Sequence, residues 1–375
     1  MGKKSSGRMK MIAAATVILG AAAAAIFFVK EIRVSHEYMV IKSQKNEDVQ
    51  STDYAQIENC LLKYSANEAV LLDAKLGTIW KKNYKMNDPE VAVQGKSAVI
   101  ADIEGTTMVV LNKEAPRGVI ETTMPILKAK VSDNGMVAAI LQDGDKTWIN
   151  FYTSKGSLIA ENQTRIDKPG YPVDLAVSPD GHTVMVSYLL MEDGQTTSYV
   201  AFYNFGKEGQ GKIDNIVAGY TYKNVIIPEV TYLRNGMSAA FRDDGYSIYN
   251  NDAAPKETVN KTIGGEIISA FHDNNYVGLV KKSKIEDVKY QIKLYNLSGK
   301  DKVSMDLNME YDNIKISGDK IIVHNDETVI MYSLKGRERF QCDTTEGIVK
   351  DVFNLGSGQY ILITDNGIKL IRLKA

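Results

Sequence analysis

The sequence predicts an all-β fold, a β-propeller, joined to one N-terminal transmembrane helix. Three observations lead to this prediction. Groups of four short strand patterns recur along the chain, in most cases every ~40 residues, which is the length of a propeller blade. Turn residues, above all Asp-Gly pairs, separate those strands. An uncharged apolar stretch follows a basic N-terminus, as in a membrane anchor.

The clearest repeat is the stretch 172–206, which contains three strands and two turns. Apolar residues alternate from Val173 to Val177, and a Ser-Pro-Asp-Gly turn follows, in which Pro presets φ and Gly supplies a positive φ. The next strand, through Val184 and Val186, is apolar on both faces. A sheet that is apolar on both faces must be covered on both faces. Further copies of the same unit are expected to cover it.

The repeat begins eight times, at Tyr54, Pro89, Ile126, Pro172, Pro228, Ile267, Tyr311 and Ile348. The last unit has only three strands before the chain ends. Because a propeller must close to avoid an unpaired strand edge, we expect residues 37–43 to supply the missing fourth strand. Eight blades are therefore favoured. The alternative is seven blades, with residues 54–86 merged into the C-terminal blade.

The N-terminus is predicted to be a signal anchor. Residues 1–10 contain basic but no acidic side chains, and residues 11–29 contain no charge. A helix of that length spans roughly 28 Å, close to a hydrocarbon core of about 30 Å. The basic tail 1–10 should remain in the cytoplasm. This prediction places a juxtamembrane linker at 30–53 and the propeller, 54–375, outside the bacterial cytoplasmic membrane. A cleaved signal peptide is the alternative, because residues 21–25 are all Ala.

Composition and residue spacing exclude several classes of function and kinds of site. The formal net charge of −1 argues against a nucleic-acid binder. Cys60 and Cys342 form no disulfide framework, which leaves two buried thiols or a single bridge. The four histidines have no metal-site spacing, and the Asp-Gly pairs match hairpin turns better than calcium loops. The sequence therefore predicts no catalytic residues, no metal and no cofactor.

Weak candidates for ligand or partner binding are Tyr171, Asp174 and Tyr203. Tyr171 and Asp174 open a repeat, where the innermost strand of a blade lines the central channel. Tyr203 belongs to an aromatic run at 202–205. Packing in the core and in turns is the alternative role for all three.

Several short motifs resemble those of a known family. They are Leu62-Lys63-Tyr64-Ser65, Ala101-Asp102, Gly170-Tyr171-Pro172-Val173-Asp174, Val186-Ser187-Tyr188-Leu189, Ala201-Phe202-Tyr203-Asn204-Phe205-Gly206 and Tyr295-Asn296-Leu297-Ser298-Gly299-Lys300. Together they look like a bacterial family of single-pass, membrane-anchored propellers, known as a domain of unknown function. The Ser-Pro-Asp-Gly turn also resembles the WD40-like repeats of envelope propellers. Gly77-Thr78-Ile79-Trp80 resembles a quinoprotein repeat, but it occurs only once. The resemblance implies a fold, a topology and an envelope setting, and no activity.

The leading functional hypothesis is a membrane-anchored, extracytoplasmic propeller that binds an envelope protein or a cell-wall partner. Binding is favoured because loops on a rigid scaffold commonly carry it. The alternative is a hydrolase or lactonase-like enzyme, with carboxylates or a metal in the central channel. A purely structural role, as a spacer in an envelope complex, is the third hypothesis.

Overall fold

A computed structural model describes residues 34–45, 51–164, 169–344 and 347–374. Over these residues the chain forms eight four-stranded antiparallel sheets, which are the blades of a propeller. The prediction of an all-β propeller with eight blades is confirmed. Blades 1 to 7 each use four consecutive strands, whereas blade 8 combines the last three strands with the first.

The strands run in chain order from β1 (Tyr38–Lys45), the outermost strand of blade 8. Blade 1 contains β2 (Asp53–Ile57), β3 (Cys60–Tyr64), β4 (Glu68–Leu72) and β5 (Thr78–Asn83). Blade 2 contains β6 (Pro89–Gln94), β7 (Ser97–Asp102), β8 (Thr107–Asn112) and β9 (Gly118–Glu121). Blade 3 contains β10 (Ile126–Val131), β11 (Val137–Asp143), β12 (Lys146–Tyr152) and β13 (Leu158–Thr164). Blade 4 contains β14 (Tyr171–Val177), β15 (Thr183–Glu192), β16 (Gln195–Asn204) and β17 (Ile216–Lys223).

Blade 5 contains β18 (Glu229–Tyr232), β19 (Ser238–Arg242), β20 (Gly245–Tyr249) and β21 (Glu257–Thr262). Blade 6 contains β22 (Ile267–His272), β23 (Tyr276–Lys282), β24 (Tyr290–Asn296) and β25 (Asp301–Leu307). Blade 7 contains β26 (Asn313–Ser317), β27 (Lys320–His324), β28 (Thr328–Ser333) and β29 (Glu338–Asp343). Blade 8 contains β30 (Val349–Gly356), β31 (Gln359–Thr364), β32 (Gly367–Leu373) and β1. Short 3-10 helices occupy Lys207–Gly209, Ile213–Asn215 and Arg234–Gly236.

The ring is closed by the N-terminal strand. β1 pairs antiparallel with β32, from Tyr38 opposite Leu373 to Lys45 opposite Gly367. Just before β1, Ser35 donates its N–H to the carbonyl of Arg339, at 3.0 Å, and so extends the edge of blade 7. The first described residues therefore hold together the outer edges of blades 7 and 8.

The two faces of the ring differ in the loops that they contain. One side of the ring, which we call the connector face, contains the connectors from each outermost strand to the innermost strand of the next blade. It also contains the turns between the second and third strands of each blade. Backbone bonds join these loops, as from Ile103 N–H to the Asp88 carbonyl, at 2.8 Å. The opposite side, which we call the turn face, contains the turns between the first and second strands and the turns between the third and fourth strands. Because β1 starts opposite the end of β32, the chain enters the ring at the turn face.

The core lies between the blades. One cluster combines Ile140 and Phe151 of blade 3 with Val184, Val186 and Tyr188 of blade 4. Val186 is 0% exposed. Full burial of each such side chain contributes about 1.5–3 kcal/mol. This packing explains why the middle strands are apolar on both faces.

The predicted cytoplasmic tail and transmembrane helix lie outside the described residues. Among the residues that the structure describes, no helix is long and apolar enough to cross a membrane. Cys60 is buried, whereas Cys342 is half-buried, and both are free thiols. The alternative of a bridge between them is therefore wrong, and so is the expectation that both are fully buried.

Candidate interaction surface

The innermost strands of blades 2 to 6 enclose a cavity of about 220 Å³. Its walls are mostly Val, Ala and Thr, with a few polar groups among them. Glu229 and His272 face each other there, with 3.3 Å between Oε1 and Nε2. The His272 ring also stacks on Phe241, at 5.5 Å between centroids. Gln94 and Lys130 are the other long polar side chains in the walls of this cavity.

Asp174 joins the innermost strands of three blades. A register shift between Pro172 and Asp174 interrupts the pairing of β14 with β15 at this point. The carboxylate Oδ2 accepts the N–H of Val230, in blade 5, at 2.8 Å. Its Oδ1 lies 3.2 Å from Nζ of Lys128, in blade 3. Asp174 is only 2% exposed, so its carboxylate serves contacts between blades.

A second Lys–Asp pair joins blades 7 and 8, four blades around the ring of eight from the first. Lys315 Nζ lies 2.5 Å from Oδ1 of Asp351, which also follows a register shift in its innermost strand. His324 Nε2 is 3.7 Å from the same oxygen. Burial raises the pKa of Asp351, but the nearby His324 ring and the charge of Lys315 outweigh it and leave the pKa below its usual range.

Tyr171 and Tyr203 have different surroundings. Tyr171 is the first residue of β14 and is 39% exposed at the connector face. Tyr203 is 5% exposed, and its hydroxyl is 2.6 Å from that of Tyr188. Burial raises the pKa of Tyr203 to about 12. Its ring borders a groove of about 720 Å³ between blades 3 and 4, also lined by Asn162 and Tyr199.

The three predicted candidates therefore do not share one environment. Tyr171 is displayed to solvent, Asp174 is used between blades, and Tyr203 packs in the core at the edge of a side groove. Of the three, Tyr171 is the residue whose side chain is placed for contact with another molecule.

The connector face carries exposed apolar side chains that sequence reasoning missed. They lie in or beside the connectors and turns of blades 4, 5, 6 and 8: Met191 (75% exposed), Ile226 (41%), Ile268 (42%), Ile285 (55%) and Ile348 (43%). The sequence gives no clear signal for them. Ile226 and Ile227 are neighbours of the same type, yet Ile227 is 1% exposed. The five exposed apolar residues and Tyr171 together make up the candidate interaction surface.

The described residues contain no group of three or more His, Cys, Asp or Glu side chains placed to hold a metal ion. Of the carboxylates of the inner strands, Asp174 is buried and Asp351 is half-buried, and both are engaged by lysines and backbone N–H groups. Asp351 also lines a cleft of about 690 Å³ together with Asp53 and Asp365, and the hydrolase alternative stays a prediction.

The family described as "Family of unknown function (DUF5711)" matches residues 31–373, and the chain belongs to this family. A search of curated proteins found no match.

Solved propellers are similar in fold. BamB from Moraxella catarrhalis is 13% identical, with a TM-score of 0.55, over 90% of this chain and 100% of BamB. Sqt1 of Chaetomium thermophilum, bound to the N-terminus of the ribosomal protein L10, is 13% identical, with a TM-score of 0.58, over 90% of this chain and 100% of Sqt1. At such low identity these similarities show the propeller fold alone.

Proposed function

We propose that this protein is a membrane-tethered binding module whose connector face binds a protein partner of the bacterial envelope. Residues 11–29 anchor it in the cytoplasmic membrane, with the N-terminus inside and the propeller outside. The module has no catalytic role and acts by holding its partner near the membrane.

The observation that carries this proposal is the set of apolar side chains displayed on the connector face. Single exposed apolar residues are ordinary, but several on one face of a rigid scaffold are typical of a protein-binding surface. Tyr171 and Met191 are of residue types enriched in such interfaces. Acidic turns surround them, which matches the polar rim of a typical interface.

The fold gives secondary support. Sqt1, similar in fold, was solved in complex with the N-terminus of another protein. An eight-bladed ring with loops displayed on one face offers this chain a comparable platform for a protein partner. The central cavity, at about 220 Å³, is small for a drug-sized ligand, whose pockets are about 300–1,000 Å³, whereas the groove between blades 3 and 4, at about 720 Å³, lies within that range.

The anchor follows from the sequence of residues 1–29. Nineteen uncharged residues after four basic ones are long enough to span a bilayer, at about 1.5 Å per residue. Protease added outside intact cells, after removal of the wall, should digest the propeller. Protection from that protease, with digestion only after lysis, would contradict the proposed orientation.

The binding surface is tested by capture from native membranes. We would crosslink cells that express the tagged full-length protein, purify it, and compare the recovered proteins with those from an Ile226→Asp/Ile268→Asp variant. Ile213→Asp is the matched control, because Ile213 is 86% exposed and lies on the turn face. A partner captured by the wild type and by the control, but not by the double variant, would support the proposal.

The same partner captured equally by all three proteins would refute the connector face as the binding surface. Retention of purified cell wall, rather than of a protein, would replace the proposed partner by a wall polymer. Folding of the variants is checked by their circular dichroism, since all three sites are exposed and should leave the fold intact.

A further inference from the structure

The loops of the connector face are acidic. In blades 2 to 8, each turn between the second and third strands contains at least one carboxylate: Glu104, Asp145, Asp193, Asp243, Asp244, Glu286, Asp287, Asp326, Glu327 and Asp365. The described parts of the connectors add Asp88, Glu266, Glu310 and Asp312. The basic residues of the same described loops are Lys85, Lys284 and Lys289. The terminal residues of the adjoining strands also include more acidic than basic side chains, so this face is negatively charged.

Ion pairs neutralise only a small part of this charge among the described residues. Arg242, at the end of β19, lies 2.7 Å from Asp244, between Nε and Oδ1. Lys289 Nζ lies 3.1 Å from Oε1 of Glu310. Most of the loop carboxylates therefore remain available to a partner.

The turn face differs, because its described turns contain similar numbers of acidic and basic side chains. The acidic ones are Glu58, Asp73, Glu114, Asp133, Asp180, Glu208, Asp214, Asp252, Asp273 and Asp319. The basic ones are Lys75, Lys96, Lys113, Arg117, Lys155, Lys207, Lys212, Arg234, Lys256, Lys300, Lys335 and Arg337. The excess of negative charge is therefore a property of the connector face, which is also the face that displays the candidate interaction surface.

Two of the exposed isoleucines are held beside a carboxylate by the same pair of hydrogen bonds. Asp243 donates its N–H to the carbonyl of Ile226, at 3.0 Å, and its Oδ1 accepts the N–H of Ile226, at 3.1 Å. Asp365 and Ile348 repeat this arrangement in blade 8, at 3.0 Å and 2.9 Å. Because both bonds join the same two residues, each carboxylate stays next to its isoleucine when a partner covers that isoleucine.

The other exposed apolar side chains of this face have carboxylates as close neighbours in the chain. Met191 and Ile285 are each followed by a Glu-Asp pair. Ile268 lies two residues after Glu266. The candidate interaction surface thus combines apolar side chains with negative charge in blades 4, 5, 6 and 8.

This combination determines the chemistry of the partner. A partner that covers the exposed isoleucines also excludes water from the carboxylates beside them. A charge that loses its water costs free energy unless an opposite charge replaces that water. A second copy that met this face with its own connector face would bring like charges together, which is unfavourable. Lysine or arginine side chains on the partner would instead pair with the carboxylates.

We propose that the connector face binds a protein segment that is both basic and apolar. The lysine or arginine side chains of this segment pair with carboxylates such as Asp243 and Asp365, and its apolar side chains pack on the adjacent isoleucines. This inference rests on the proposed function and adds the chemical class of the partner. Because opposite charges attract the partner, its association should weaken as the salt concentration increases.

Peptide probes test this chemistry on the full-length protein in nanodiscs of phosphatidylcholine, with empty nanodiscs as the background. One peptide alternates Lys with Leu, the second replaces every Lys by Glu, and the third replaces every Leu by Ser. Fluorescence anisotropy measures the dissociation constants at low and at high salt. We expect the Lys–Leu peptide to bind at least about tenfold more tightly than either of the others, with an affinity that decreases in high salt.

Removal of charge beside two isoleucines provides the matched comparison. Asp243→Asn/Asp365→Asn keeps an oxygen that accepts the N–H of each isoleucine, and it should weaken binding of the Lys–Leu peptide about three- to tenfold, as expected for two surface ion pairs. The control is Asp133→Asn/Asp273→Asn on the turn face, where each Oδ1 also accepts a backbone N–H, at 2.8 Å and 2.7 Å. The control should bind the peptide like the wild type.

Failure of the inference and failure of the proposed function give different results. Equal binding of the Lys–Leu and Glu–Leu peptides, equal affinity of Asp243→Asn/Asp365→Asn and its control, or no binding of the Lys–Leu peptide would overturn the inference. In the capture from native membranes, a partner lost by Ile226→Asp/Ile268→Asp but kept by Asp243→Asn/Asp365→Asn would also overturn the inference and would leave the binding surface in place. A partner kept by both variants would overturn the proposed function, and the inference with it.

Discussion

Replacement of Asp174 by Ala separates the structural from the ligand-binding interpretation of this residue. The carboxylate accepts the N–H of Val230, which is 2% exposed, and pairs with Lys128, whose side chain is 35% exposed. Without the acceptor, the buried N–H is left unsatisfied, which costs about 1–3 kcal/mol. Lys128 can turn to water, so loss of that pair adds at most about 1 kcal/mol.

We therefore expect Asp174→Ala to lower the free energy of unfolding by about 1–4 kcal/mol. Asp174→Asn keeps an oxygen that can accept the Val230 N–H and loses only the charge, so it should cost about 1 kcal/mol or less. Urea denaturation of the fragment 34–374, which contains every strand of the ring, measures both. Asp326→Ala, in an exposed turn, is the control and should change the value by less than about 0.5 kcal/mol.

Two results would refute this reasoning. If Asp174→Ala were as stable as the control, the contact between blades would contribute nothing. If Asn and Ala were equally damaging, the ion pair with Lys128 would dominate, and the assignment of the cost to the Val230 N–H would be wrong.

Three further predictions follow from the packing, the electrostatics and the closure of the ring. Val186→Asp buries an unpaired charge between two blades and should abolish soluble expression, whereas Gln195→Asp, exposed in the same blade, should express normally. The lowered pKa of Asp351 means that its contribution to stability is present above about pH 4 and is lost as the pH falls through the folded-state pKa. The urea midpoint should therefore decrease between pH 5 and pH 3 by more in the wild type than in Asp351→Asn. A chain that begins at residue 46 exposes the edge of β32 and should oligomerise in size-exclusion chromatography, and a peptide of residues 34–45 should restore the monomer.

Much of the fold could be predicted because its signals are local. Alternation of apolar residues and the position of turns act over a few residues, and the repeat at Pro89, Ile126 and Ile267 coincides with the first residues of β6, β10 and β22. The missing fourth strand of the last repeat predicted closure by the N-terminus, because an open edge is unfavourable.

The candidate surface was only partly predictable. Tyr171 was found from its place at the start of a repeat, but Ile226 and Ile268 lie in a connector and at a register shift, where alternation no longer tells which side chain is buried. Tyr203 belongs to an aromatic run in the sequence, and in the structure its hydroxyl forms a hydrogen bond with the hydroxyl of Tyr188 in the core.

The sequence by itself determined that the fold is built of short strands, where the turns between them lie and that the N-terminal stretch is uncharged, since each depends on residues close together in the chain. The choice of eight blades over seven was decided by the tertiary structure. The tertiary structure alone decided what Asp174 does, because its partner Val230 is 56 residues away and is brought near only when blades 4 and 5 pack side by side. It also decided that the acidic turns between the second and third strands of blades 2 to 8 meet on the connector face, because all of these turns project from the same side of the ring.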